Sequence, residues 1–79
     1  MNINKNDLVK ICIDGAYDKD GEFIINLNEQ IGILTNILFF NGNEILNVNI
    51  EYKYSDSCLF EIYVLNNFIY FTGLQFEKL

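Results

Sequence analysis

Residues 44–76 read EILNVNIEYKYSDSCLFEIYVLNNFIYFTGLQF, and the register of this stretch decides the fold. Leu46, Val48, Ile50, Tyr52 and Tyr54 alternate with Asn47, Asn49, Glu51 and Lys53. A period of two sends successive side chains to opposite faces of a strand. Ser55-Asp56-Ser57 is a polar three-residue loop, and residues 58–65 (CLFEIYVL) read as the next strand. Asn66-Asn67 reads as a two-residue turn, since asparagine tolerates positive φ. Residues 68–76 then form a third strand. In this meander Tyr54 faces Cys58, Tyr52 faces Phe60, Ile50 faces Ile62 and Val48 faces Val64. The second turn sets Val64 against Ile69, Ile62 against Phe71 and Phe60 against Gly73. Two turns, read independently, put the same residues on one apolar face. A slip of one residue in either would bury Glu61 or Lys53.

The opposite face pairs Glu51 with Glu61. Asn49, Tyr63 and Tyr70 form the next row; Asn47, Leu65 and Phe68 another; Lys53, Leu59 and Leu74 a fourth. Like charges directly opposite each other destabilise a sheet, and large apolar side chains exceed what a solvated face requires. Tyrosine is enriched where partners bind. Glu51, Glu61, Tyr63, Tyr70 and Asn49 are therefore candidate partner-binding residues, with the glutamates meeting lysine or arginine. The competing reading covers this face with the N-terminal segment or with a second copy of the chain.

Outward from the meander, Leu8–Asp14 reads as a strand with Val9, Ile11 and Ile13 on one side. The turn formers GAYDKDG follow, and residues 22–27 (EFIINL) close a hairpin with the first strand. Over residues 27–40 the spacing predicts a helix: Leu27, Ile31, Leu34 and Leu38 recur at 4, 3 and 4. Asn26 and Glu29 resemble a capping pair, and Asn41-Gly42 would end the helix. Two features oppose it. Gly32 would cost about 1 kcal/mol inside a helix, and Asn-Gly is also a hairpin signal. The expected fold is a single α+β domain over residues 1–79, ordered ββαβββ, with the helix on the apolar face. An all-β arrangement is the alternative.

Composition narrows function more than it identifies it. The chain has 79 residues and buries only about 60–65% of its unfolded surface, so partner docking or oligomerisation would suit it. It is 51% hydrophobic, too apolar for a disordered chain. Five lysines, no arginine and eleven carboxylates give a net charge of −6. That disfavours direct nucleic-acid binding and anionic membrane surfaces, and suits a basic protein partner. The N-terminus has no secretory pattern, and no apolar run approaches the roughly 20 residues of a membrane span. A cytoplasmic location is expected, with Cys12 and Cys58 reduced.

Chemical equipment is sparse. Without histidine there is no Ser–His or Cys–His pair. No phosphate loop occurs, and two cysteines outside a CxxC motif do not make a usual zinc site. Asp14, Asp18, Asp20 and Glu22 cluster around Gly15 and Gly21, like the oxygens of a calcium loop. However, Ala16 and Leu27 would occupy positions that need carboxylates. The cluster reads as a solvated acidic turn, and Asp18, Asp20 and Glu22 join the candidate partner-binding set. No catalytic residue, metal or cofactor is expected.

No motif identifies a family. In size, acidity and lack of catalytic groups the chain resembles phage or mobile-element inhibitors of host defence, such as anti-CRISPR and anti-restriction proteins. The resemblance implies a protein that blocks a basic nucleic-acid-handling enzyme by occlusion or by mimicking nucleic acid. The alternative is an assembly protein, at its simplest a homodimer, that associates through the tyrosine-bearing face. A third reading is a small enzyme built on carboxylates and a metal.

Overall fold

The computed structural model describes residues 2–39, 41, 43–45, 50–51 and 58–79. These residues form β1 (Asn2–Ile3), β2 (Leu8–Ile11), β3 (Ala16–Tyr17), β4 (Phe23–Ile24), β5 (Ile31–Phe39), β6 (Ile50–Glu51), β7 (Cys58–Val64), β8 (Asn67–Phe71) and β9 (Phe76–Lys78). The centre is a five-stranded antiparallel sheet in the order β8-β7-β5-β2-β9. Two short pairs, β1–β6 and β3–β4, accompany it.

The sheet has one buried face. Val9, Ile11, Leu34, Ile37, Cys58, Phe60, Ile62, Val64, Ile69, Phe71 and Phe76 line it. The cover comes from Ile3, Ala16 and Leu27, with Ile13, Ile24 and Ile45 packed against them. Its path follows from the ends of two segments. Ile11 lies on β2, beside the β9 edge, whereas Asp18 bridges to Ile69 on β8 at the other edge. The chain therefore crosses the inner face between them. It then returns, with Glu29 N–H donating to Ile11 O at 2.8 Å. The Asp18 bridge also caps part of the β8 edge, which would otherwise offer open ladder positions.

The structure corrects the α+β expectation: among the described residues the chain is all strand and loop. Residues 31–39 are β5, not a helix. The physical reason is a bulge. The β5–β7 register shifts between Leu34 and Asn36, and Thr35 is the extra residue. An extra residue lets Leu34 and Ile37, three apart, both reach the core from an extended strand. Helical spacing arises there without a helix. Ile31, the second member of the expected stripe, is half exposed. Asn26 and Glu29 are left-handed, with φ of 64° and 67°, and so shape a turn instead of a helix start.

The first hairpin is corrected too. β4 pairs with β3, not with β2. In the C-terminal stretch β7 and β8 do form a hairpin, but the turn is Leu65-Asn66, so Val64 faces Asn67 and Ile62 faces Ile69. That register differs by two residues from the expected one, and an even slip preserves the faces. The other expected neighbour of β7 is replaced. β5 holds that place, with Ile37 opposite Phe60 and Phe39 opposite Cys58. Ile50 and Glu51 pair instead with Ile3 and Asn2. Residues 46–49 and 52–57, with Asn49 and Tyr52 among them, lie outside the described residues.

Cys12 is exposed, Cys58 is buried, and neither is in a disulfide. Among the described residues no helix is long and apolar enough to cross a membrane.

Candidate partner-binding face

The outer face of the sheet is built by the alternation that fills the core. Each strand that points one residue inward points the next outward. Register then sets Phe68 opposite Tyr63, Tyr63 opposite Ile33 and Ile33 opposite Leu8. Leu79 continues the line, its N–H donating to Leu8 O at 3.0 Å. These five side chains form one transverse row, from four strands and the residue that follows β9, and are 37–62% exposed. A contiguous apolar row of this kind is not needed to fold the sheet, since the core lies on the other side. Tyr63 and Phe68 stack at 4.9 Å between centroids, and Lys19 Nζ lies 5.6 Å from the Phe68 ring.

Beside the row sits Glu61, opposite Tyr70 on β8 and Asn36 on β5. Tyr70 donates its hydroxyl proton to Glu61 Oε2 at 3.0 Å, and Thr35 Oγ1 lies 2.9 Å from Glu61 Oε1. The bulge is what turns Thr35 toward this carboxylate. Both oxygens are thus held by neutral hydroxyls, so the charge is oriented without being neutralised. Burial, then Glu61 and Asp20, pushes the Tyr70 phenol above its ordinary 10.0. The neutral phenol is the form the fold favours, so this contribution is complete below pH 10 and is lost as pH rises past it. Denaturant midpoints of the native protein should fall more steeply above pH about 10 than those of Tyr70→Phe. Equal slopes would remove Tyr70 from the network.

The acidic turn lies along the same edge, through the Asp18–Ile69 bridge and a bond from Lys19 N–H to Phe68 O. Asp18 Oδ1 accepts the backbone N–H groups of Asp20 and Glu22, both at 2.9 Å. Its carboxylate therefore organises the turn, whereas Asp20 and Glu22 are exposed. Gly21, at φ 81°, supplies the conformation the turn needs. The structure brings together Glu61, Tyr63, Tyr70, Asp18 and Asp20. The backbone of Glu51 pairs with Asn2 on β1 and not with Glu61 on β7. Asn49 lies outside the described residues.

Ile33, Leu8, Leu79, Thr35 and Lys19 escaped the sequence reading. β5 is the strand that joins the two halves of the face, and its residues read as a helix. The alternation of Ile31, Ile33 and Thr35 with Gly32 and Leu34 was the available signal. A second exposed pair, Tyr17 and Phe23, has a local explanation. The rings stack edge-to-face across β3–β4 at 5.1 Å, and a Cβ on Gly15 would lie 2.5 Å from the Phe23 ring.

At the tip of the β7–β8 hairpin both turn residues have positive φ, 51° at Leu65 and 62° at Asn66. Such a turn matches the strand twist and prefers asparagine and glycine. Leucine in that conformation costs about 1–2 kcal/mol, yet the Leu65 side chain is 46% exposed. Asn67 Nδ2 donates to Leu65 O at 2.9 Å and steadies the tip.

No protein family, curated protein or solved structure matches this chain.

Proposed function

We propose that the chain is a non-enzymatic protein-binding module that docks through the outer face of its sheet on a basic protein. The observation that supports this most is the exposed row Phe68–Tyr63–Ile33–Leu8–Leu79 beside the oriented Glu61. Apolar area supplies the driving force for association. A held carboxylate supplies orientation and selects a lysine or arginine. A second copy is the poorer occupant, because it brings another charge of −6 to the contact.

Within this reading the protein is a cytoplasmic inhibitor, of the phage or mobile-element anti-defence kind, that covers a nucleic-acid-handling enzyme. Occlusion fits the geometry better than mimicry. Mimicry needs carboxylates spaced along one surface like phosphates. Asp18 is spent on its own turn, and Glu51 lies on a different strand pair.

The test combines capture with light scattering. A monomer of 9.2 kDa that retains a basic nucleic-acid enzyme, released by salt, supports the proposal. A tight homodimer lost on Tyr63→Asp would transfer the face to self-assembly.

A further inference from the structure

We propose that the β7–β8 hairpin tip is a wedge, with Leu65 entering an apolar pocket of the partner while Glu61 meets a cation at its rim. This deepens, and rests on, the docking role of the outer face. Three observations converge on Leu65. It is left-handed, at φ 51°, where leucine is disfavoured. It is 46% exposed, so burial within this chain does not account for its choice. It follows β7 directly, at the tip of the hairpin whose strands carry Tyr63 and Phe68. Backbone outliers of this kind cluster where function needs them.

The hairpin sets the spacing of the two contacts, with Glu61 on β7 and Leu65 at the tip that follows it. Leu65 follows Glu61 by four residues, a span of at most about 13 Å at ~3.3 Å per residue. The partner surface is then defined chemically: an apolar pocket with lysine or arginine within about 13 Å of it. The chain's charge of −6 favours that cationic rim over an anionic lipid surface or a second copy.

The probe is a random peptide display library, selected on the immobilised full chain. Peptides that combine lysine or arginine with a large apolar residue should be enriched. The best of them, as a synthetic peptide, should lose at least tenfold in affinity on Leu65→Asn. That variant should melt several degrees higher, because asparagine suits the turn. A purely structural Leu65 would show the stability gain without the binding loss. Loss of binding on Glu61→Lys with full binding to Leu65→Asn would overturn the wedge and leave the docking face standing. Enrichment of acidic or neutral peptides, or none, would overturn both. Binding to phosphatidylglycerol vesicles that Leu65→Asn abolishes would assign the wedge to a membrane and overturn the protein partner.

Discussion

Gly32→Ala is expected to destabilise the protein by about 1–3 kcal/mol, the cost of overpacking a filled interior. Gly32 sits opposite Val9 in the centre of the sheet and is buried. A Cβ placed there would lie 2.6 Å from Ile62 Cγ2, 2.9 Å from Tyr63 O and 3.0 Å from Val64 Cβ. The Ile62 methyl could rotate, but a backbone oxygen and a second Cβ cannot without moving β7 against β5. The sign is the decisive part. In a helix the same substitution would stabilise by about 1 kcal/mol. Urea denaturation of wild type and Gly32→Ala therefore tests the strand directly, and a stabilised variant would refute β5. A domain of this size holds only about 4–12 kcal/mol in total, so the expected loss moves the midpoint well beyond measurement error.

The same glycine shows what was legible in the sequence. Strict alternation in residues 58–64 identified β7, because that pattern admits one period only. Its face assignment survived an error of two residues at the hairpin, since parity and not register decides which side is buried. Asn66 and Asn67 compete for one turn, and composition alone does not show that Leu65 takes the first left-handed position. The partner of β7 was illegible for a different reason. Two stretches, 31–39 and 46–54, both supply apolar residues in the sequence; the farther one is the neighbour of β7, and the described part of the nearer one, Ile50–Glu51, pairs with β1. Closing the longer connection costs little more entropy, since loop cost grows slowly with length. Thr35 hid the alternation of β5 by adding one residue where the pattern would have been read. That residue also holds Glu61, so the feature that obscured the fold is one that builds the candidate site.

Glu61→Lys is expected to weaken docking on the proposed basic partner by about 2–5 kcal/mol, the usual cost of removing one member of a close interfacial charge pair. Three properties make Glu61 the most sensitive point on the face. It is part-buried beside Tyr70 and Thr35, so it cannot swing away from a misplaced charge as an exposed chain would. Its hydroxyl partners are neutral, so a cation on the partner meets the full carboxylate. It lies next to Tyr63 on the same outward face, where docking would exclude water and strengthen the pair. Glu61→Gln keeps an acceptor for one hydroxyl and loses the charge and the second acceptor. Its affinity should fall between those of wild type and lysine. The salt dependence should shrink in the same order, because the screened attraction is what has been removed. Glu29→Lys is the control for net charge: it changes the total equally from an exposed turn distant in sequence from β7 and β8. If binding is set by overall acidity, Glu29→Lys and Glu61→Lys weaken it alike and the face has no special role. If Glu61 is the recognition carboxylate, Glu29→Lys slows association modestly, while Glu61→Lys raises the dissociation rate, as expected for a contact and not for steering.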